Sequence, residues 1–217
     1  MIVGLVIWIG KHIGPRKRMQ IQQEMIKPIS KKDEAGYLYA YHLTQGPRVS
    51  TQHYCYFKIG RSINPTRRVS QVIQKCNYQP KLLDIIPGKR RTAKQYHQQQ
   101  TTIQKGDDDG RMLKCPISHR VERLIHMELA ALYPITGGFK CQGCGTTHRE
   151  WFRVKRPMVQ VQAADAGGEK WRRMTDQEVW LNKIRPVMLH WIQYGVAASA
   201  LLQALGSRSP SLDQDLG

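Results

Sequence analysis

Gly36-Tyr-Leu-Tyr-Ala-Tyr-His-Leu43 and His53-Tyr-Cys-Tyr-Phe-Lys-Ile-Gly60 are the two runs on which the fold turns. Both are aromatic-rich, the composition that suits a pleated, half-buried surface. Gln45-Gly-Pro-Arg-Val-Ser-Thr-Gln52 between them is polar and turn-forming, so the pair predicts a β-hairpin. Asn64-Pro65 then predicts a helix start, with Asn as N-cap and Pro at the first helical position. Val69, Val72 and Ile73 carry that helix to Cys76 at helical spacing. Lys81-Leu-Leu-Asp-Ile-Ile86 reads as a third strand, closed by Pro87-Gly88. Ser118 is the expected cap of a second helix, whose Val121, Leu124, Ile125 and Leu132 form an apolar stripe. Glu150-Trp-Phe-Arg-Val154 is a short strand or a helix entry. The expected class is α+β: a small three-stranded antiparallel sheet flanked by helices, with a helical C-terminal extension.

Three regions follow. Residues 1–35 hold Lys11, Arg16, Lys17, Arg18, Lys27, Lys31 and Lys32 with little apolar periodicity, and predict a basic, disordered arm. Residues 36–155 form the expected domain. Within it, 89–114 is a polar, glutamine-rich surface insertion and 141–148 a metal-binding knuckle. Residues 156–217 read as a linker near Ala163–Glu169 and a helical tail, with Thr175 as a cap and Pro186 breaking or starting a helix. The apolar start Met1–Ile9 is too short to span a bilayer, and it lacks the leading charge and cleavage site of a signal peptide. Trp191–Leu205 is interrupted by polar residues and reads as a packing helix.

Charge narrows the partner. Lys and Arg number 34 against 16 acids, a net charge of +18. The excess lies within the domain itself, where residues 36–155 hold 20 Lys and Arg and 7 Asp and Glu. Such a field favours polyanions, nucleic acid first among them. No polybasic run adjoins a spanning helix, so DNA is the expected partner and a membrane is not. Five cysteines argue against a disulfide framework and for a reducing compartment, hence an intracellular, nuclear location. Cys141, Cys144 and His148 offer three metal ligands in one tight turn, with Gly143 and Gly145 permitting the reversal. A closed structural Zn²⁺ site needs a fourth ligand. Cys76 is the first choice, with His126 or Cys115 next.

Five short phrases together resemble the GIY-YIG nuclease superfamily, and more closely its bacteriophage T-five Orf-type DNA-binding branch. They are Gly36-Tyr-Leu-Tyr39, Lys58-Ile-Gly-Arg61, Asn64-Pro-Thr-Arg-Arg68, Glu122-Arg-Leu-Ile-His126 and Glu150-Trp-Phe152. Cys141-Gln-Gly-Cys-Gly-Thr-Thr-His-Arg-Glu-Trp-Phe152 is similar to the version found in filamentous fungi. The resemblance covers roughly residues 36–155.

That resemblance implies a GIY-YIG-like domain that binds DNA and whose relatives cleave it. Tyr39 would help to activate the nucleophile, Arg68 would brace the phosphate with its donor fork, and Glu122 would hold a Mg²⁺ ion if the site is catalytic. Lys58 stands where the superfamily usually has tyrosine, and a protonated lysine is a poor base, which favours DNA binding over cleavage. His126 belongs to the family phrase and shares a helix face with Glu122 and His119. His119 reads as a hydrogen-bonded histidine beside the core. Arg61, Arg67, Lys89, Arg90, Arg91 and Lys94 are expected phosphate contacts, with one of Arg67 and Arg68 a solvated helix charge. Trp151 and Phe152 either stack on unpaired bases or fill the core beneath the sheet.

Overall fold

The structure, a computed structural model, describes residues 7–88, 114–162 and 169–206. The predicted hairpin forms from β1 (Tyr37–Gln45) and β2 (Tyr54–Ser62), antiparallel, with Tyr37 opposite Ser62 and Tyr41 opposite Lys58. The predicted third strand, β3 (Gln79–Ile86), pairs antiparallel with the other edge of β1. The sheet does not stop at three. β7 (Trp151–Lys155) pairs along the free edge of β2, and β4 (Ile135–Thr136) adds to β7, giving five strands in the order β3-β1-β2-β7-β4. The reason is the edge of β2, whose backbone groups need partners once buried. Two residues of β4 are too few to show any period.

Alternation sorts the two faces. Leu38, Ala40, Phe57, Ile59 and Phe152 join the larger core, while Tyr39, Tyr41, Leu43 and Trp151 form a second cluster. On the first face lies α3 (Ser118–Leu132), burying Val121, Leu124, Ile125 and Leu129. Its start differs from expectation. Ser118 is the first helical residue, not the cap, and its hydroxyl donates to the Glu34 carbonyl at 2.7 Å. The Asp33 carboxylate accepts from the Arg120 N–H at 2.8 Å, so the helix end is satisfied by a segment distant in sequence.

Over residues 7–35, the described part of the expected disordered arm, the expectation is also overturned. Residues Pro15–Ile26 form a helix, α1, with Pro at its start and Ile21 and Met25 buried; Ile9 and Ile13 bury ahead of it. The apolar residues are few but four apart, and α3 supplies the surface that they lack alone. The buried Arg120 guanidinium donates to the Met25 carbonyl at 3.3 Å and to the Pro28 carbonyl at 2.7 Å, and the Tyr194 hydroxyl reaches Met25 at 3.3 Å. Carbonyls left open at the end of α1 are thereby paired.

After residue 155 the predicted helical tail is present and packs on the main core, and a ribbon that the sequence did not announce precedes it. β8 (Met158–Gln162) and β9 (Glu169–Arg173) pair as a two-stranded ribbon. Of the predicted linker near Ala163–Glu169, residues 163–168 lie outside the described residues and Glu169 begins β9. Thr175 does cap α4 (Asp176–Val179), in a capping box with Glu178. A π turn, Trp180–Ile184, leads into α5 (Arg185–Gly206) and sets the Arg185 N–H on the Trp180 carbonyl, just before Pro186, which has none to give. Trp180, Ile184, Met188 and Trp191 are fully buried against the same core as α3. No helix among the described residues is long and apolar enough to cross a membrane.

Candidate functional site

Two arrangements of chemical groups sit on the tyrosine-bearing side of the sheet and along its rim. The first begins with α2 (Pro65–Cys76). Asn64 caps it as predicted, accepting from the Arg67 N–H at 2.9 Å, and Asn77 ends it in the left-handed region at φ 55°. Cys76 is thus presented, buried, from the last turn. Facing it is the hairpin β5 (Phe139–Lys140) and β6 (Thr147–His148), whose turn holds Cys141 and Cys144. Gly143 lies so close to the end of α2 that a Cβ there would stand 2.5 Å from the Lys75 carbonyl. Gly145, at φ 69°, makes the reversal that follows.

The result is a group of four: Cys76, Cys141, Cys144 and His148, whose ligand atoms all lie within 4.8 Å of one another and could hold a metal ion. His148 Nε2 stands 3.5 Å from Cys76 Sγ and 3.3 Å from Cys144 Sγ. A tetrahedral metal with bonds of roughly 2.0–2.3 Å needs ligand atoms about 3.5 Å apart. Burial raises the Cys141 thiol, but the Tyr78 hydroxyl, the Cys144 N–H and His148 outweigh it and bring the group down to about 6. Burial pushes Cys76 up to about 12, helped by the neighbouring sulfurs. The first-choice fourth ligand is therefore present. The two alternatives are elsewhere: Cys115 is buried in the main core beside Gly36, and His126 is on α3 beside Glu150.

The second arrangement joins β1, β2, α2 and α3. Tyr39 pairs with Gly60 across the hairpin, and a Cβ at Gly60 would stand 2.8 Å from the Tyr39 hydroxyl, so a larger residue there would displace the tyrosine ring. Burial raises the Tyr39 hydroxyl; the Arg68 guanidinium nearby pulls it back, and the Glu122 carboxylate adds to the rise. Arg68 from α2 and Glu122 from α3 therefore both act on the Tyr39 hydroxyl. Arg61 Nε stands 3.4 Å from Glu122 Oε2, so this expected phosphate contact is engaged with the expected metal ligand. Arg68 Nη1 donates to Gln71 at 3.1 Å.

Lys58 contacts a residue that the sequence reading left without a role. Its Nζ donates to the Arg149 carbonyl at 2.9 Å and to Glu150 Oε2 at 3.2 Å. The other oxygen of Glu150 faces His126 Nδ1 at 3.6 Å, and His126 Nε2 is 3.3 Å from the Ile59 carbonyl. Hydrogen bonding to His126 holds the Glu150 carboxyl down at about 2, with Lys58 assisting against burial. Glu150 sits at φ 64°, a conformation rare outside glycine, one residue before β7. It was visible in the Glu150-Trp-Phe phrase, but nothing in that phrase reveals the turn that aims it. His119, Glu122, Arg123, His126, Met127 and Glu150 line one open depression. His119 also faces Asp33 at 4.0 Å.

Arg67 is exposed on α2. Lys89, Arg90, Arg91 and Lys94 lie outside the described residues. Trp151 and Phe152 are buried on opposite faces of the sheet, at 1% and 0% exposure, so the core reading holds for both and base stacking is ruled out.

Residues 54–194 match the family described as meiotically up-regulated gene 113. The chain belongs to that family. The matched span runs from β2 into α5, taking in the Cys76, Cys141, Cys144 and His148 group, Glu122, Glu150 and the β8–β9 ribbon, which makes the tail part of the shared unit. A Schizosaccharomyces pombe relative, "Meiotically up-regulated gene 113 protein", is 24% identical over 195 residues, covering 89% of this chain and 47% of the relative. The chain thus spans about half the length of that protein. No solved structure matches.

Proposed function

We propose that the chain is a DNA-binding protein with a GIY-YIG nuclease-like domain, and that its knuckle holds a structural Zn²⁺. The observation that carries the reading is the convergence of Tyr39, Arg68 and Glu122, drawn from three elements, in a chain of net charge +18. Arg68 and Arg67 on exposed helix surface supply donors for phosphate, and the guanidinium fork suits phosphate geometry. Zinc is the metal that fits three thiolates and an imidazole, and four protein ligands leave no open position for catalysis.

The test is a salt titration of duplex binding by fluorescence anisotropy. Affinity should fall steeply as salt rises, and Arg68→Ala should weaken binding and flatten the slope by about one phosphate contact. Affinity that ignores salt removes DNA from the reading and leaves a zinc-stabilised protein- or RNA-interaction module.

A second reading, a Mg²⁺-dependent DNA endonuclease, is favoured by Glu122 and Tyr39 sharing one site with Arg68. Mg²⁺ is often held by one or two carboxylates together with substrate phosphate, so Glu122 meets the donor demand once DNA is bound. The ion would stabilise the leaving oxygen; Arg68 would hold the phosphate and Tyr39 would orient the attacking water. Against this, Glu122 is already paired with Arg61, and Lys58 with Glu150. Supercoiled plasmid with Mg²⁺ decides: nicking by wild type that Glu122→Ala and Arg68→Ala both abolish establishes the enzyme. Equal background from all three leaves a binding module.

A further inference from the structure

The β8–β9 ribbon leaves the sheet at the end of β7 opposite the Tyr39 site. Met158 lies across from Arg173, and Gln160 across from Trp171. Alternation puts Met158, Gln160, Gln162, Glu169, Trp171 and Arg173 on one face, with Glu169 taken up by the Gln160 amide, and Lys170 and Arg172 on the other. Trp171 is 59% exposed there, whereas Trp151, Trp180 and Trp191 are at most 1% exposed and Trp8 is partly buried. A tryptophan gains most from burial, so an exposed one on an ordered strand calls for a partner. The ribbon's base is firmly placed. Arg172 makes two bonds to Glu178, at 2.7 and 2.6 Å, and Arg156 donates to the Thr51 carbonyl, the Met174 carbonyl and the Asp176 carboxylate.

We infer that this ribbon is a second nucleic-acid contact, in which Trp171 stacks on an unpaired base while Arg173, on the same face, meets a flanking phosphate. The inference rests on the DNA-binding reading above. An aromatic ring with Arg173 and glutamines on its own face, and no broad apolar patch around it, suits a base and its backbone. It suits neither a lipid surface nor an apolar protein groove. The five residues of β7, at about 3.3 Å each, set the ribbon roughly 17 Å from Glu150, within reach of one short oligonucleotide bound at both places.

The experiment uses the full chain, a labelled 12-nucleotide single strand and the matching duplex. Trp171→Ala should weaken single-strand binding roughly five- to hundredfold, the range for loss of one stacked base, and leave duplex binding within about twofold. Trp171→Phe should restore much of the loss, which a folding defect would not allow. Single strand should also shield wild-type tryptophan fluorescence from iodide, and Trp171→Ala should remove that shielding. Single-strand affinity unchanged in Trp171→Ala, or equal losses on both ligands, overturns the inference while duplex binding by wild type still stands. If wild type binds neither ligand, the DNA reading and this inference fall together.

Discussion

The face of the sheet bearing Leu38, Ala40, Phe57 and Ile59 lies against α1, α3 and α5, whereas among the described residues the face bearing Tyr39, Tyr41 and Trp151 has only α2 and the knuckle beside it. The first buries large aliphatic and indole side chains; Trp191 donates to Glu128 at 2.7 Å, while the buried Trp180 N–H has no hydrogen-bond partner. Apolar burial holds it, and burial needs no specific bond. The second has tyrosines, few aliphatic groups and a small cluster of Val72, Cys76 and Cys141. So little apolar surface cannot fix α2 against the knuckle, and a cross-link among Cys76, Cys141, Cys144 and His148 can. The two faces therefore resist different insults, and the groups expected to meet phosphate are spread over elements from both.

Removing the metal should have the largest effect and should strike one face only. If the knuckle holds zinc, purified protein contains one equivalent per chain, and a strong chelator strips it with a free-energy loss on the order of 10 kcal/mol of binding. Near-ultraviolet circular dichroism from the tyrosines should change while helix content stays. Purified protein without metal, or a spectrum that ignores the chelator, breaks the comparison.

Next in size is Leu124→Ala in the aliphatic core, where truncation costs about 3 kcal/mol. Urea midpoints should shift by similar amounts with and without chelator, since this face does not use the metal. A strongly chelator-dependent shift would mean that the faces are not independent.

Gly143→Ala sharpens the contrast at lower cost. Its Cβ meets the Lys75 carbonyl, so the knuckle must move away from Cys76. Overpacking of this kind costs about 2 kcal/mol, and zinc affinity by competition should drop with it. Affinity equal to wild type would show that the close approach is not needed.

The smallest effect is one of slope, and it concerns the link between ribbon and sheet. Burial alone would raise the Asp176 carboxyl, but His42, Ser50 and Arg156 hold it below the ordinary carboxylate range. A carboxylate whose ionised form the fold favours contributes stability above its unfolded pKa of about 4, and that contribution fades as pH falls below it. Melting temperature should therefore decline below about pH 4 in wild type and decline less in Asp176→Asn. Parallel acid limbs would discount Asp176.

Much of this was legible beforehand where a single segment carries its own signal. The β1–β2 hairpin, the Asn64 cap, the Thr175 cap and the apolar stripe of α3 all depend on neighbours within a turn or two. So does the Cys141-Cys144-His148 spacing. What escaped notice depends on partners far along the chain. Helix α1 has too few apolar residues to announce itself until α3 and Arg120 meet it, and β4 exists only because β7 is beside it. Glu150 enters the site through a left-handed turn that no residue type signals.

The sequence by itself determined the alternation and helical periods, the basic charge, and the identity of every chemical group, because these are properties of residues and their spacing. Only the tertiary structure decided that Cys76 completes the cluster of four, that Arg61 pairs with Glu122, and that Glu150 joins Lys58 to His126. Contacts between groups dozens of residues apart are set by how helices and strands pack, and packing is decided by the whole core at once.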